Sequence, residues 1–117
     1  MKNKIKELTS YEIDLFKSSF STFVFNQEVD FVYERQIPTA GILLLEGEMT
    51  LLKRKKPKLT ISPGTMIGLF ELFHNLPAKH GLKISKNSRL LIIQKSELME
   101  TLKNQMSPIY SILKNAV

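Results

Sequence analysis

The chain has 117 residues, of which 43% are hydrophobic and none is cysteine. This length suits one compact domain, and the lack of cysteine excludes disulfides, thiolate catalysis, zinc ribbons and iron–sulfur clusters. The net charge of +6 is uneven, because residues 1–50 carry five basic and eight acidic side chains whereas residues 51–117 carry twelve and three. No apolar run approaches the ~18 residues of a membrane span and no signal-peptide core follows the basic start, so we expect a cytoplasmic protein.

The first predicted element is a short amphipathic helix over residues 9–18. Thr9 and Glu12 have the spacing of a capping box, in which each side chain accepts a hydrogen bond from the backbone N–H of the other residue. Ile13 and Phe16 recur at a helical interval and predict its buried face.

From residue 20 to residue 94 the sequence changes to short β-branched and aromatic runs, separated by turn residues about every 8–12 positions, which is typical of all-β folds. The predicted strands are Thr22–Asn26, Asp30–Tyr33, Gly41–Glu46, Met49–Lys53, Lys58–Ile61, Thr65–Ile67, Gly81–Ile84 and Arg89–Gln94. Lys56 and Pro57 are predicted to lie in a turn. A short helix over Leu69–His74 interrupts the strands.

Two short helices are predicted over residues 96–116. Ser96 precedes Glu97 and is suited to be the N-cap of the first. Pro108 follows Ser107 and is suited to the first position of the second. An apolar stripe on the second helix either covers the core or pairs two copies in a homodimer. It consists of Ile109, Ile112, Leu113 and Val117.

Four segments, in their order and spacing, resemble landmarks of a known family. They are the apolar run and glycine of Ile42–Met49, the Pro-Gly turn of Ser62–Thr65, the pair Ile67-Gly68, and the helix start Ser96–Leu98. From roughly Leu8 to Lys103 the chain resembles the cyclic-nucleotide-binding domain of catabolite-activator-type regulators, protein kinase A regulatory subunits and gated channels. The resemblance implies one domain over 1–117, mainly β: a double-stranded β-helix, or jelly-roll-like β-roll, over 20–94, with an N-terminal helix, a cassette helix and C-terminal helices.

The family's phosphate cassette reads Gly-Glu, an apolar helical turn, then Pro-Arg and small residues. In the family, backbone N–H groups and the arginine bind the cyclic phosphate, and the glutamate accepts a hydrogen bond from the ribose 2′-hydroxyl. In Gly68–Gly81, Gly68 and Pro77 match this pattern, but Leu69 stands at the glutamate position and Ala78 at the arginine position. The resemblance therefore implies that high-affinity cyclic nucleotide binding has been lost.

Three neighbouring residues are candidates to replace the missing groups. Glu71 lies two positions beyond the glutamate position, a rotation of about 200° around a helix, so we expect it to point away from the ligand. Lys79 lies one position beyond the arginine position, and in an extended segment its side chain faces the opposite side. A shift in register would place Lys79 at the arginine position, where it would offer a point charge and not the two-pronged contact of an arginine. An alternative function is therefore a sensor that binds a nucleotide or another anion through Lys79, His80 and the cassette amides.

Two further segments are candidate partner surfaces. A basic cluster is either a patch for an acidic protein, an anionic lipid or a nucleic acid, or a solvated hairpin tip. It consists of Lys53, Arg54, Lys55, Lys56 and Lys58. The apolar cassette residues either fill the vacated pocket, Leu69 among them, or expose Phe70 and Phe73 as a docking patch.

Enzymatic, metal and DNA-binding functions lack support in the sequence. Glu71 and His74 have a metal-ligand spacing, but a site needs three or four ligands, so we expect both to be polar residues on a short surface helix and no metal to be bound. There is no Gly-x-Ser-x-Gly elbow or phosphate loop, so we expect neither an enzyme nor a cofactor. Only 14 residues follow Lys103, too few for a helix-turn-helix that reads DNA. The sequence predicts a regulatory module whose partner is another protein.

Overall fold

Nine strands and four helices make up residues 5–117, the part of the chain that the computed structural model describes. The strands are β1 (Ile5–Glu7), β2 (Thr22–Phe25), β3 (Val29–Val32), β4 (Ala40–Glu46), β5 (Met49–Lys53), β6 (Lys56–Ile61), β7 (Thr65–Ile67), β8 (Gly81–Ile84) and β9 (Ser88–Gln94). The helices are α1 (Ser10–Ser19), α2 (Leu69–His74), α3 (Lys95–Leu102) and α4 (Tyr110–Ala116).

The strands form two antiparallel sheets. The first has the strand order β1-β7-β4-β9-β2 and the second the order β3-β8-β5-β6. From β3 to β9 the chain passes repeatedly from one sheet to the other, so that the two sheets wind around a shared interior. This is the mainly β roll with flanking helices that the sequence predicts.

Strand β4 separates two hydrophobic cores. Ile42 and Leu44 face the interior between the sheets, whereas Leu43 faces the helices, because successive side chains of a strand point to opposite faces. Both faces are covered, which explains why this strand is a continuous apolar run. We call the interior cluster the roll core: Val32, Ile42, Leu44, Met49, Leu51, Ile61, Ile67, Leu82, Ile84 and Leu90. The helix-side core contains Leu43, Met66, Leu91 and Ile93 of the sheet together with residues from all four helices.

The first helix begins as predicted. Thr9 is its N-cap, and its hydroxyl accepts a hydrogen bond from the Glu12 backbone N–H at 3.2 Å. The Glu12 carboxylate accepts one from the Thr9 N–H at 2.9 Å, which completes the capping box. Phe16 is fully buried in the helix-side core.

Two strands differ from the sequence prediction. Strand β1 was not predicted, because its three residues have no pattern of their own and are held extended by pairing with β7. Strand β6 includes Lys56 and Pro57, which were expected in a turn. It is an edge strand, where a proline costs no ladder hydrogen bond. The turn lies instead at Arg54 and Lys55, whose φ angles of 53° and 65° suit a two-residue hairpin.

The starts of the two C-terminal helices also differ. The N-cap of α3 is Gln94, not Ser96, and the Glu97 carboxylate accepts a hydrogen bond from the Gln94 N–H at 3.0 Å. The prediction of Ser96 as N-cap was wrong because the helix already begins at Lys95, directly after the last residue of β9. Pro108 lies in the turn before α4, whose first residue is Tyr110.

The apolar stripe of the last helix packs against its own chain. Leu113 is fully buried and Ile112 is 9% exposed, both in the helix-side core. Of the two alternatives that the sequence left open, the structure shows the covered core. The exposed face of α4 carries Ser111, Lys114 and Asn115, which are polar. No helix within residues 5–117 has the length and apolar character needed to cross a lipid bilayer.

Candidate functional site

A cavity of about 40 Å³ lies where the roll core meets the segment that follows α2. Its buried apolar wall comes from both sheets and from the segment before β4, and consists of Val32, Pro38, Ala40, Ile42, Leu51, Ile67 and Leu82. Its half-buried rim consists of Phe31, Gly68, Ala78, Lys79 and His80. Pockets that enclose a drug-sized ligand measure roughly 300–1,000 Å³. The cavity is therefore far smaller than such a pocket.

Helix α2 turns Glu71, and not Leu69, toward this cavity. Leu69 is 2% exposed and belongs to the helix-side core with Leu72, one helical turn further on. Leu69 packs closely on the backbone of Gly41, where an added Cβ would lie 2.9 Å from the leucine Cγ. Positions 69 and 71 lie on opposite sides of the helix, as expected. However, Glu71 is the residue at the cavity and Leu69 is the residue in the helix-side core. Both the expectation that Leu69 fills the pocket and the expectation that Glu71 points away were wrong.

The Glu71 side chain is buried without a polar partner in the described chain. It is 6% exposed and lines the cavity. Within residues 5–117 its carboxyl group makes no hydrogen bond and no ion pair. The prediction of a surface position for Glu71 was therefore wrong, whereas His74 is exposed. A buried polar group without a partner is costly, so this carboxyl group is a marked feature of the cavity.

Lys79 lines the same cavity as its neighbours Ala78 and His80. The expectation that Lys79 faces the opposite side assumed an extended chain. The chain bends at Lys79 and His80, so the strict alternation of a strand does not apply there. Of the six predicted cassette residues, the structure brings together Gly68, Glu71, Ala78, Lys79 and His80.

The basic hairpin is tied to the rim of the cavity through Lys53. The Lys53 ammonium lies 3.1 Å from a Glu34 carboxylate oxygen and donates a hydrogen bond of 3.1 Å to the Lys79 carbonyl. The other Glu34 oxygen accepts a hydrogen bond of 2.8 Å from the Arg54 backbone N–H. The Arg54 N–H and the Lys53 ammonium hold the pKa of Glu34 below its usual value. Sequence reasoning missed Glu34, because about 20 residues separate it from its partners.

Two backbone hydrogen bonds join the loop around Glu34 to the same rim. The Arg35 N–H donates to the Ala78 carbonyl at 2.7 Å, and the Ala78 N–H donates to the Gln36 carbonyl at 2.8 Å. Three segments that are distant in sequence thus meet at the mouth of the cavity: the loop 33–36, the hairpin and the cassette end.

The remaining basic residues of the hairpin project into solvent. Arg54, Lys55, Lys56 and Lys58 are all exposed. A groove of about 250 Å³ runs beside them, and its lining includes Tyr33, which is 64% exposed. The basic cluster is therefore a hairpin tip with an adjacent groove.

The two phenylalanines of the cassette are partly covered by the protein itself. Phe70 and Phe73 are half-buried, and their ring centroids lie 4.4 Å and 4.9 Å from that of His74. Phe73 also packs against the helix-side core. The described chain contains no group of three His, Cys, Asp or Glu residues placed to hold a metal ion.

No family model and no curated protein matches the sequence. Solved structures do match. A protein of a cyclic-GMP-dependent signalling pathway of bacterial phytopathogenesis is 16% identical, with a TM-score of 0.76, and the match covers 95% of this chain and 93% of that one. The catabolite activator protein of Thermus thermophilus is 18% identical, with a TM-score of 0.72, and covers 93% of this chain and 53% of its own.

A third match is a cyclic nucleotide-binding domain from Methylobacillus flagellatus. It is 16% identical, with a TM-score of 0.67, and the match covers 95% of this chain and 62% of that one. The strand order and the flanking helices agree with these likenesses. The chain therefore has the β-roll fold of cyclic-nucleotide-binding domains.

Proposed function

We propose that residues 1–117 form a non-enzymatic regulatory domain of the cytoplasm that has lost high-affinity cyclic nucleotide binding and acts through contacts with another protein. The small size and apolar wall of the cavity carry this proposal. The matched structures come largely from regulatory proteins, which supports the regulatory role.

The polar groups of the cavity argue against a cyclic phosphate. Neither Leu69 nor Ala78 offers the side chain that the family uses, and Leu69 faces the helix-side core. Lys79 supplies a point charge and not the two-pronged contact of an arginine. Glu71 adds a carboxyl group inside the same cavity, and like charges repel strongly where water is scarce.

Calorimetric titration with cyclic AMP and cyclic GMP tests the first part. We expect no binding with a Kd at or below about 10 μM, which corresponds to roughly −7 kcal/mol. Micromolar or tighter affinity for either nucleotide would overturn the loss of binding.

The basic hairpin is the better supported of the two partner surfaces. Its exposed cations stand together beside an open groove, while Phe70 and Phe73 are partly covered. Clustered charge at an exposed tip favours encounter with a surface of opposite sign. We therefore infer that the partner presents an acidic surface to the hairpin, and that the cassette region around Phe70, Phe73 and Lys79 contributes less.

Charge reversal tests this surface. The triple variant Lys55/Lys56/Lys58→Glu leaves Lys53 in place, because Lys53 holds the cavity rim. The variant Lys86/Lys95/Lys103→Glu changes the net charge equally at exposed positions elsewhere and is the matched control. In a pull-down from cells of the source organism, the hairpin variant should lose a protein that the control retains. Equal retention by both variants would contradict a role of the hairpin.

A second candidate function is a sensor that binds a nucleotide or another anion through Lys79 and His80. Their common position on the cavity rim favours it. A thermal-shift screen with mono- and dinucleotides separates the two candidates, because a ligand at 100 times its Kd stabilises a fold by about 2.7 kcal/mol. Stabilisation by an anionic nucleotide, lost in Lys79→Met, would favour the sensor; no shift across the screen would count against it.

A further inference from the structure

The most unusual group in the described chain is the carboxyl group of Glu71. It is 94% buried, it lines the cavity between the sheets, and no residue from 5 to 117 donates a hydrogen bond to it or pairs with it. The three ion pairs that the described residues form all lie at other, more exposed glutamates. Proteins rarely bury an ionisable group without a hydrogen-bond partner. A group from outside the chain that enters the cavity can supply this partner.

The charge of Glu71 decides what such a partner must offer. An ionised carboxylate only accepts hydrogen bonds, and its strongest partner is a cationic donor. An anion that entered the cavity would meet this carboxylate at close range in surroundings of low polarity, where like charges repel most. The inner end of a ligand must therefore be a donor without negative charge.

The size of the cavity limits the group that can enter. A water molecule needs roughly 10–15 Å³ of such volume, so a cavity of about 40 Å³ holds two or three waters or one small organic head. The apolar wall suits a short carbon chain, and the half-buried Phe31 at the rim adds an aromatic side chain, a residue type that can attract a cation. Lys79 and His80 at the same rim suit a polar or anionic outer end.

We propose that the cavity binds the primary ammonium group of a small organic molecule, with Glu71 as its hydrogen-bond acceptor. This site goes beyond the proposed partner binding and does not depend on it. It also reverses the charge preference of a phosphate site, which agrees with the loss of cyclic nucleotide binding.

Three probes of equal size test the charge preference. Ethanolammonium, ethylene glycol and acetate each have four non-hydrogen atoms and differ in charge. Each is titrated into the full chain at constant ionic strength, and the backbone amide signals of Gly68, Glu71 and Ala78 are followed by nuclear magnetic resonance. At a ceiling of about 1.5 kcal/mol per non-hydrogen atom, a head of four such atoms gains at most about 6 kcal/mol, a Kd of roughly 40 μM, so each titration extends into the millimolar range. Ethanolammonium should bind at least tenfold tighter than ethylene glycol, and acetate should not bind.

Two variants place the effect at this cavity. Glu71→Gln keeps the shape of the side chain and should weaken ethanolammonium binding at least tenfold. Lys79→Met removes a rim cation without touching the carboxyl group, and should strengthen ethanolammonium binding by about twofold to fivefold if the two charges act at one site. Lys86→Met is the control for a lysine removed elsewhere and should change nothing.

Several results would overturn the proposal. Equal or tighter binding of acetate would reverse the charge preference, and unchanged ethanolammonium binding in Glu71→Gln would place it elsewhere. The absence of any probe-dependent shift at these amides would mean that the cavity holds water only. A missing or misplaced ethanolammonium effect leaves the cyclic nucleotide titration and the hairpin pull-down unchanged, so failure here is distinct from failure of the proposed function. Binding of acetate would in addition favour the anion sensor.

Discussion

The two faces of the first sheet are covered in different ways. On one face, four helices close the helix-side core, and its buried members are all apolar. On the other face, the second sheet covers the roll core but leaves a cavity that contains a carboxyl group. We call the helix-covered side the closed face, and the side with the small, apolar-walled cavity and its carboxyl group the open face.

Helix α2 contributes side chains to both faces. Its six residues contribute Leu69 and Leu72 to the helix-side core and Glu71 to the cavity. Residues three apart share a helix face, whereas residues two apart lie on nearly opposite faces. A short helix that packs between two regions can therefore assign neighbouring residues to opposite functions.

The largest expected effect comes from placing a charge on the closed face. Leu69→Glu introduces the glutamate that the resemblance in sequence implies at this position, but it buries a carboxylate in the helix-side core. We expect a loss of at least about 3 kcal/mol in the free energy of unfolding, measured by urea denaturation.

A companion measurement sharpens this prediction. Because position 69 faces the helices, Leu69→Glu combined with Ala78→Arg should not recover binding of cyclic AMP by calorimetry. A stable double variant that binds the nucleotide would show that Leu69 faces the ligand after all, and would break the distinction between the two faces.

A substitution at the cavity is expected to change the free energy of unfolding in the opposite direction. Glu71→Leu removes the unpaired carboxyl group and fills part of the cavity with methyl groups. The free energy of unfolding should rise by about 1–3 kcal/mol, the usual cost of an unsatisfied buried polar group. Glu12→Leu, at a glutamate whose carboxylate accepts a capping hydrogen bond, is the contrast and should lower stability. If Glu71→Leu also destabilises the protein, the carboxyl group has a partner in solution.

The sequence predicted the roll better than it predicted the cavity, for a physical reason. Strands such as Met49–Lys53 and Thr65–Ile67 are bounded by local turn chemistry, so their limits follow from neighbouring residues. The capping box of Thr9 is local as well. In contrast, the strand Ile5–Glu7 exists only through its pairing with β7, and no local pattern signals it.

The cavity depends on which face of α2 meets which core, and this is a tertiary property. Helical geometry alone predicts that Leu69 and Glu71 lie on opposite sides of the helix. It does not predict which of the two sides faces the cavity. The bend at Lys79 was equally invisible, because it follows from the meeting of distant segments at the rim. Family resemblance supplied the wrong orientation here, since it assumed that the glutamate position keeps its direction when leucine replaces the residue.

A smaller effect is expected in the hairpin that borders the open face. Arg54 and Lys55 both have positive φ angles, which favour asparagine and glycine over long side chains. Arg54→Asn with Lys55→Gly should therefore raise the free energy of unfolding by about 1 kcal/mol. The same change at Lys56 and Lys58, which lie in an extended strand, is the control and should lower it. A destabilised turn variant would mean that the two side chains make contacts that outweigh the backbone preference.

The smallest effect concerns the link between this hairpin and the cavity rim. The pKa of Glu34 is lowered by the Arg54 N–H and the Lys53 ammonium. A carboxylate with a lowered pKa in the folded state stabilises the fold above its unfolded value of about 4.3, and this contribution is lost as the pH falls through the folded value. As the pH falls below the usual glutamate range, the amide signals of Arg54 and Lys79 should therefore move together.

Two variants test whether Glu34 causes the joint change of the Arg54 and Lys79 amide signals at low pH. Glu34→Gln cannot ionise, so the joint change of the two signals at low pH should disappear. Glu28→Gln removes a more exposed glutamate, which lies 3.6 Å from the Lys83 ammonium, and should leave the change intact. If both variants keep it, the hairpin and the rim titrate independently of Glu34. Within residues 5–117, the Lys53–Glu34 pair would then not couple the hairpin to the cavity rim.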